Sequence, residues 1–219
     1  RASHHDMSGT VRTSFTALLC LGLVACASVP SPDARKDLAD ALAERRGWQA
    51  RTIRAERFAL TAYLSATPKR SASLTIYIEG DGLAWLAKSR PSSDPTPRDP
   101  VGLRLALAHP DGQAAYLARP CQYVDAEATA CDPRYWMQAR FAPEVIHAMS
   151  QAIDALAQRT RASKLILVGY SGGGAVAALV AARRSDVVRL ITVAGNLDHV
   201  AWTTHHAVSP LVESLNVVD

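Results

Sequence analysis

The residues whose types and spacing suggest chemistry lie between Lys164 and Arg184, KLILVGYSGGGAVAALVAARR. Gly169-Tyr170-Ser171-Gly172-Gly173 matches G-x-S-x-G, with the Ser171 hydroxyl as candidate nucleophile. A serine on a tight strand-to-helix turn projects its hydroxyl clear of the backbone. Its neighbours must be small, because strand and helix pass close together there. The N–H that follows the serine, here that of Gly172, faces the place where an oxyanion would form.

Such a turn needs a strand before it and a helix after it. Lys164 to Val168 is a short aliphatic, β-branched run, the pattern of a strand covered on both faces. Gly174 to Arg184 is small and apolar, and predicts a helix. Two other readings compete. A plain glycine-rich βα turn can hold an incidental serine. Gly172-Gly173-Gly174-Ala175-Val176-Ala177 also fits the dinucleotide pattern G-x-G-x-x-A, which wants an acid at the end of the next strand. That strand, Arg189 to Ala194, runs into Gly195-Asn196 instead. A phosphate P-loop is excluded, since no Lys-Ser or Lys-Thr follows the glycines.

The chain of 219 residues opens on Arg1, and Met7 is the first possible initiator. A short polar segment with Arg12, the apolar run Phe15 to Ala25 and then Cys26 predict a signal peptide over residues 1–25, too short to span a membrane. Leu23-Val24-Ala25-Cys26 resembles the bacterial lipoprotein box, in which the cysteine is diacylated and becomes the mature N-terminus. The plainer alternative is a secreted protein with a cysteine near its cleavage site. Cys20 follows Leu19 rather than a small residue and is the poorer acceptor. Residues 26–32 then form a lipidated tether and residues 33–219 one domain. This organisation places the protein in the bacterial cell envelope, facing the periplasm or exterior, with the membrane as partner. The net charge of +4 carries no lysine-arginine block and gives no case for nucleic acid. A hydrophobic content of 48% supports a sizeable core.

Between the tether and the serine turn, Asp33 to Arg46 predicts a helix with Ser31 or Asp33 near its cap and Gly47 past its end. Ala34, Leu38, Ala41 and Leu42 are its expected buried face. Phe58–Leu64, Leu74–Ile78 and Ala114–Ala118 read as strands, and Val101–His109 as a short helix. Leu83 to Pro100 reads as a surface loop, where Trp85 either lines a pocket or packs. Pro143 to Arg159 predicts a longer helix with Val145, Ile146, Met149, Ile153 and Leu156 inward. Cys121 and Cys131 share a loop and, in an exported protein, predict a disulfide. No nearby histidine or further cysteine completes a metal site, and neither a metal nor a cofactor is expected.

The order of strand, turn, strand, helix, strand, serine elbow, helix and strand resembles the α/β-hydrolase fold. More narrowly, YIEGDG, DPTP, YLARPCQY and GYSGGG are similar to an uncharacterised group of bacterial serine-hydrolase lipoproteins of that superfamily. The resemblance runs from about Phe58 to the C-terminus. It implies an α/β three-layer sandwich with a mostly parallel sheet. It also implies acyl transfer to water on a small-molecule or lipid-like ester, with Ser171 as nucleophile. The turn Glu79-Gly80-Asp81-Gly82 sits where the family's second oxyanion donor lies, so the N–H of Asp81 or Gly82 joins that of Gly172. The two carboxylates depart from the family's motif, and a negative charge beside an oxyanion opposes catalysis. A plain glycine turn is the alternative there.

The family's acid and histidine follow the serine in that order. Asp198, just past the strand Arg189 to Ala194, is the candidate acid. His199, His205 and His206 come early for the family's histidine, and the adjacent His205 and His206 read as surface or pocket-wall residues. The resemblance thus implies an incomplete domain. Its last strands and histidine fall beyond Asp219, its final strand is left as a bare edge, and this stretch alone is inactive. No histidine nitrogen is expected within hydrogen-bond reach of Ser171. The alternative from another class is a non-catalytic envelope lipoprotein that keeps the fold as a binding module.

Acyl chains on Cys26 would hold the protein on a membrane, since each buried methylene contributes about 0.8 kcal/mol. Replacing Cys26→Ser is expected to release the protein or leave it unprocessed, as read by membrane fractionation. A processed Cys26→Ser protein that still required detergent for extraction would count against lipidation.

Overall fold

The computed structural model describes residues 29–67, 71–87, 90–125 and 131–219. The signal segment and Cys26 lie outside the described residues.

Six strands form the main sheet: β1 (Trp48–Ala55), β2 (Phe58–Ser65), β3 (Ser73–Ile78), β4 (Gln113–Leu117), β5 (Lys164–Tyr170) and β6 (Val187–Val193). Their order is β1-β2-β4-β3-β5-β6. The β1–β2 hairpin is antiparallel and closes at Glu56-Arg57, and β2 meets β4 antiparallel. From β4 through β3 and β5 to β6 every pairing is parallel. A separate two-stranded ribbon joins Trp85–Ala87 to Arg90–Pro91.

Side-chain alternation splits the core into two layers. Leu60, Leu64, Leu74, Ile76, Ile78, Leu117, Leu165 and Leu167 face one side of the sheet. They pack against α3 (Pro143–Thr160) and α4 (Gly172–Ala181). Tyr63, Tyr77 and Tyr116 face the other side, against α1 (Pro32–Glu44) and α2 (Val101–Leu107). Helix, sheet and helix make a three-layer α/β sandwich with a mostly parallel sheet. Among the described residues no helix is long and apolar enough to cross a membrane.

The inward stripe of α3 is the expected one: Val145, Ile146, Met149, Ile153 and Leu156 are all buried. The face of α1 is not. Ala39 and Ala43 point inward while Leu38 is 38% exposed. The cause is Arg35, which is buried with an ion pair to Asp94 at 3.3 Å and a hydrogen bond to the Thr96 carbonyl. Satisfying that guanidinium turns the helix about its axis. Ser31 caps it by accepting the Ala34 N–H at 3.1 Å.

The four parallel strands bring their C-terminal ends to one edge, where α/β sheets carry their sites. Glu79 to Gly82 follows β3, Ala118 to Tyr123 follows β4, Ser171 follows β5 and Ala194 to Asp198 follows β6. On β6, Val188, Leu190, Ile191 and Val193 are exposed on both faces.

Cys121 and Cys131 are disulfide-bonded with their Cα atoms 5.5 Å apart, as their shared loop led us to expect. Closing so short a loop restricts the unfolded chain by about 2–3 kcal/mol. Cys121→Ser with Cys131→Ser is expected to lower unfolding free energy by that amount, measured by urea denaturation of the oxidised protein. Identical midpoints for the two proteins would show that the bridge does not form in solution.

Candidate active site

Ser171 sits between the last residue of β5 and the first of α4 with φ 50° and ψ −122°. A residue with a Cβ adopts such a conformation at a cost of about 1–3 kcal/mol, so the surroundings must hold it. They do so from three sides. The Ser171 N–H donates to the Val193 carbonyl at 2.9 Å, and the Ser171 carbonyl accepts from Gly174 at 2.9 Å and Asn196 at 3.1 Å. The two outer glycines of the motif are steric demands. A Cβ on Gly169 would collide with the Gly173 carbonyl, and one on Gly173 with the carbonyls of Ile78 and Glu79. The serine turn is therefore wedged against the β3 turn as well as against β6.

That β3 turn, Glu79 to Gly82, is clamped residue by residue. The Glu79 carboxyl accepts from the N–H groups of Gly80 at 2.9 Å and Gly102 at 3.1 Å, and from the Tyr116 hydroxyl at 3.1 Å. Burial pushes its pKa up against the pull of those bonds. The Gly80 carbonyl accepts from Gln122 Nε2 at 3.0 Å, and Gln122 Oε1 accepts from the Arg119 N–H at 3.0 Å. Asp81 accepts from Arg140 Nη1 at 2.8 Å and Arg119 Nη1 at 3.3 Å. Gly82 has φ 65°, and a Cβ there would strike the Pro95 carbonyl.

These contacts answer the concern about two carboxylates beside an oxyanion. Glu79 turns into the tyrosine layer. Asp81 is bracketed by two buried arginines that outnumber it in charge. Burial opposes its ionisation, but Arg140 and Arg119 outweigh burial and hold its pKa below the usual carboxylate range. Its carboxylate also lies against Gly172, where a Cβ would collide with Oδ1. The backbone N–H groups of Asp81, Gly82 and Gly172 have no acceptor among the described residues. Ser171, Asp81 and Gly82 line one cleft of about 270 Å³.

The candidate acid and histidines do not join this group. Asp198 caps α5 (His199–His205). Its carboxylate accepts from Ala201 N–H at 3.0 Å, Val200 N–H at 3.1 Å and Asn216 Nδ2 at 3.3 Å. The Ala201 bond is the main reason its pKa lies below the usual range. Its observed role is a helix cap, and no imidazole among the described residues is bonded to it. His199 is buried, its ring tilted on Phe141 with centroids 6.2 Å apart. Both its ring nitrogens are without a hydrogen-bond partner among the described residues. His205 and His206 are exposed and contact each other's rings at 4.9 Å. The Ser171 hydroxyl makes no hydrogen bond to any described residue. No group of three or more metal-ligating side chains occurs among the described residues.

Sequence reasoning missed Arg119, Arg140 and Gln122. The one available signal was Arg119 itself, a lone charge directly after a strand in RPCQY.

No protein-family profile matches the chain, and neither does any curated protein. Solved structures of similar architecture include a bacterial membrane phospholipase A described as a virulence factor. It is 17% identical with a TM-score of 0.48, covering 83% of this chain and 51% of its own. A carboxylesterase from Bacillus subtilis is 14% identical with a TM-score of 0.47, covering 77% of this chain and 51% of its own. An α/β serine hydrolase homologue from Coxiella burnetii is 14% identical with a TM-score of 0.46, covering 68% and 64%. The chain thus spans about half the length of the first of these, at 51%. The assignment of the fold rests on the strand order and the serine turn.

Asp81→Asn would leave two buried arginines without their anion, which typically costs about 3–5 kcal/mol. The folded pKa of Asp81 is depressed, so its contribution is present above the unfolded value of about 3.9 and is lost as pH falls through the folded value. Urea denaturation at a series of pH values is expected to show a deficit of that size at pH 7 that narrows below about pH 4. A deficit independent of pH would show that the ionised carboxylate is not what stabilises the cluster.

Proposed function

We propose that this chain belongs to an exported, lipid-anchored serine hydrolase that transfers an acyl group from a carboxylic ester to water. The observation that carries the reading is the Ser171 backbone at φ 50° and ψ −122°, set beside unpaired N–H groups in a cleft. Backbone strain of this kind clusters at active sites and ligand clamps. In this reading Ser171 Oγ attacks the ester carbonyl, and its proton passes to a base. The N–H groups of Gly172 and of Asp81 or Gly82 hold the oxyanion. The C–O bond to the alcohol breaks as the alcohol takes the proton. Water then hydrolyses the acyl-serine by the same route in reverse order. The arginine-rich surroundings of Asp81 favour the developing negative charge. This chemistry needs no cofactor, and small-molecule or lipid-like esters are the substrate class. The base is the part that the described residues do not bring to Ser171. The resemblance of Leu23-Val24-Ala25-Cys26 to a lipoprotein box supports an envelope membrane as its location.

A second reading draws on a specific observation: the Ser171 hydroxyl is unpaired and Asp198 serves as a cap. A binding module that retains the hydrolase fold without its chemistry would show the same features.

A fluorophosphonate probe on the protein expressed from its complete gene separates the two. Labelling is expected at Ser171 and lost in Ser171→Ala, with turnover of p-nitrophenyl acetate falling by about 10³-fold or more. A well-folded wild-type sample that takes no label would overturn the enzyme reading in favour of the binding module.

A further inference from the structure

A second cavity, of about 320 Å³, is lined by Arg140, whose Nη1 pairs with Asp81. Its walls are Trp85, Met137, Trp202, Pro210 and Leu211, and Arg140 is the one charged side chain among its described lining residues. Arg140 is only 5% exposed. Its Nη1 donates to Asp81 at 2.8 Å and its Nε to the Met137 carbonyl at 2.8 Å. Its Nη2 donates to no described residue.

The charge balance of the cluster points to what this cavity takes. Arg119 and Arg140 share the single carboxylate of Asp81, so one positive charge has no partner inside the cluster. Glu79 acts on Arg119 through space but bonds neither guanidinium, so Arg140 has only its share of Asp81 as counter-ion. A buried charge without its counter-ion is costly, and a guanidinium is best matched by a carboxylate. One residual charge calls for a monoanion, whereas a phosphate dianion would overshoot it. The apolar walls ask for a body without charge. The volume lies at the small end of the range for small-molecule sites.

We propose that this cavity binds a monocarboxylate with an apolar body, its carboxylate on Arg140 Nη2 and its body against Trp85, Trp202 and Leu211. The site touches the serine turn through Asp81, whose carboxylate lies against Gly172. The proposal does not require Ser171 to be a nucleophile, and its test reads binding alone.

Isothermal titration of the full chain with octanoate, 1-octanol and octyl phosphate, all below their aggregation concentrations, tests it. Octanoate is expected to bind at least tenfold more tightly than 1-octanol and more tightly than octyl phosphate. Arg140→Met leaves Arg119 and Asp81 as a balanced pair, and is expected to bring octanoate and 1-octanol within twofold of each other. Trp202→Ala, which does not touch the ion cluster, is expected to weaken both ligands at least threefold and keep their ratio. Wild type that binds octanoate no better than 1-octanol would overturn the proposal. So would a preference that survives in folded Arg140→Met, or tighter binding of octyl phosphate. Should Arg140→Met fail to fold, octanoate affinity unchanged by Trp202→Ala would overturn it.

Discussion

One carboxylate ties the site edge together. Asp81 comes from the turn after β3, Arg119 from the segment after β4 and Arg140 from the approach to α3. Gly172, the first residue of α4, lies against the same carboxylate. Four segments distant in sequence are thus referred to a single pair of oxygens. Arg119 reinforces the tie by donating to the Arg140 carbonyl and stacking 5.3 Å over the Phe141 ring. A buried arrangement of this kind stabilises little by itself, but it is intolerant of losing one member. That intolerance gives the backbone donors around Ser171 fixed positions.

The serine turn depends on the same economy of space. Gly169 and Gly173 let strand and helix meet, and Gly173 also lets the turn seat on the carbonyls that end β3. Neighbouring parallel strands therefore set the spacing between the Ser171 hydroxyl and the N–H groups of the β3 turn. Gln122 adds the last restraint by holding the Gly80 carbonyl from one side and the Arg119 N–H from the other. The disulfide begins at Cys121, directly beside it.

What could be read in advance follows from how far each signal reaches along the chain. The serine turn, β5 and the α3 stripe are local patterns of apolar spacing and glycine, and they appear where expected. The cysteine pair was legible because its partners are ten residues apart. β1 was missed because an edge strand, WQARTIRA, is half exposed and puts Arg51 on the same face as Ile53 and Ala55. The face of α1 was misread because Arg35 is buried by a partner 59 residues away. Arg119 and Arg140 were invisible for the same reason, lying 38 and 59 residues from Asp81. Asp198 followed a strand on the correct edge, as an acid of the proposed triad would. It precedes a seven-residue helix too short to announce itself, and the cap uses the carboxylate.

The backbone of Ser171 has a consequence for the history of such a chain. At φ 50° and ψ −122° glycine would fit with less strain than serine. The fold alone would therefore be better served by losing the hydroxyl. A lineage selected only to stay folded would drift toward glycine at this position. Serine kept at 171 across such a lineage would mean that something other than stability rewards the hydroxyl.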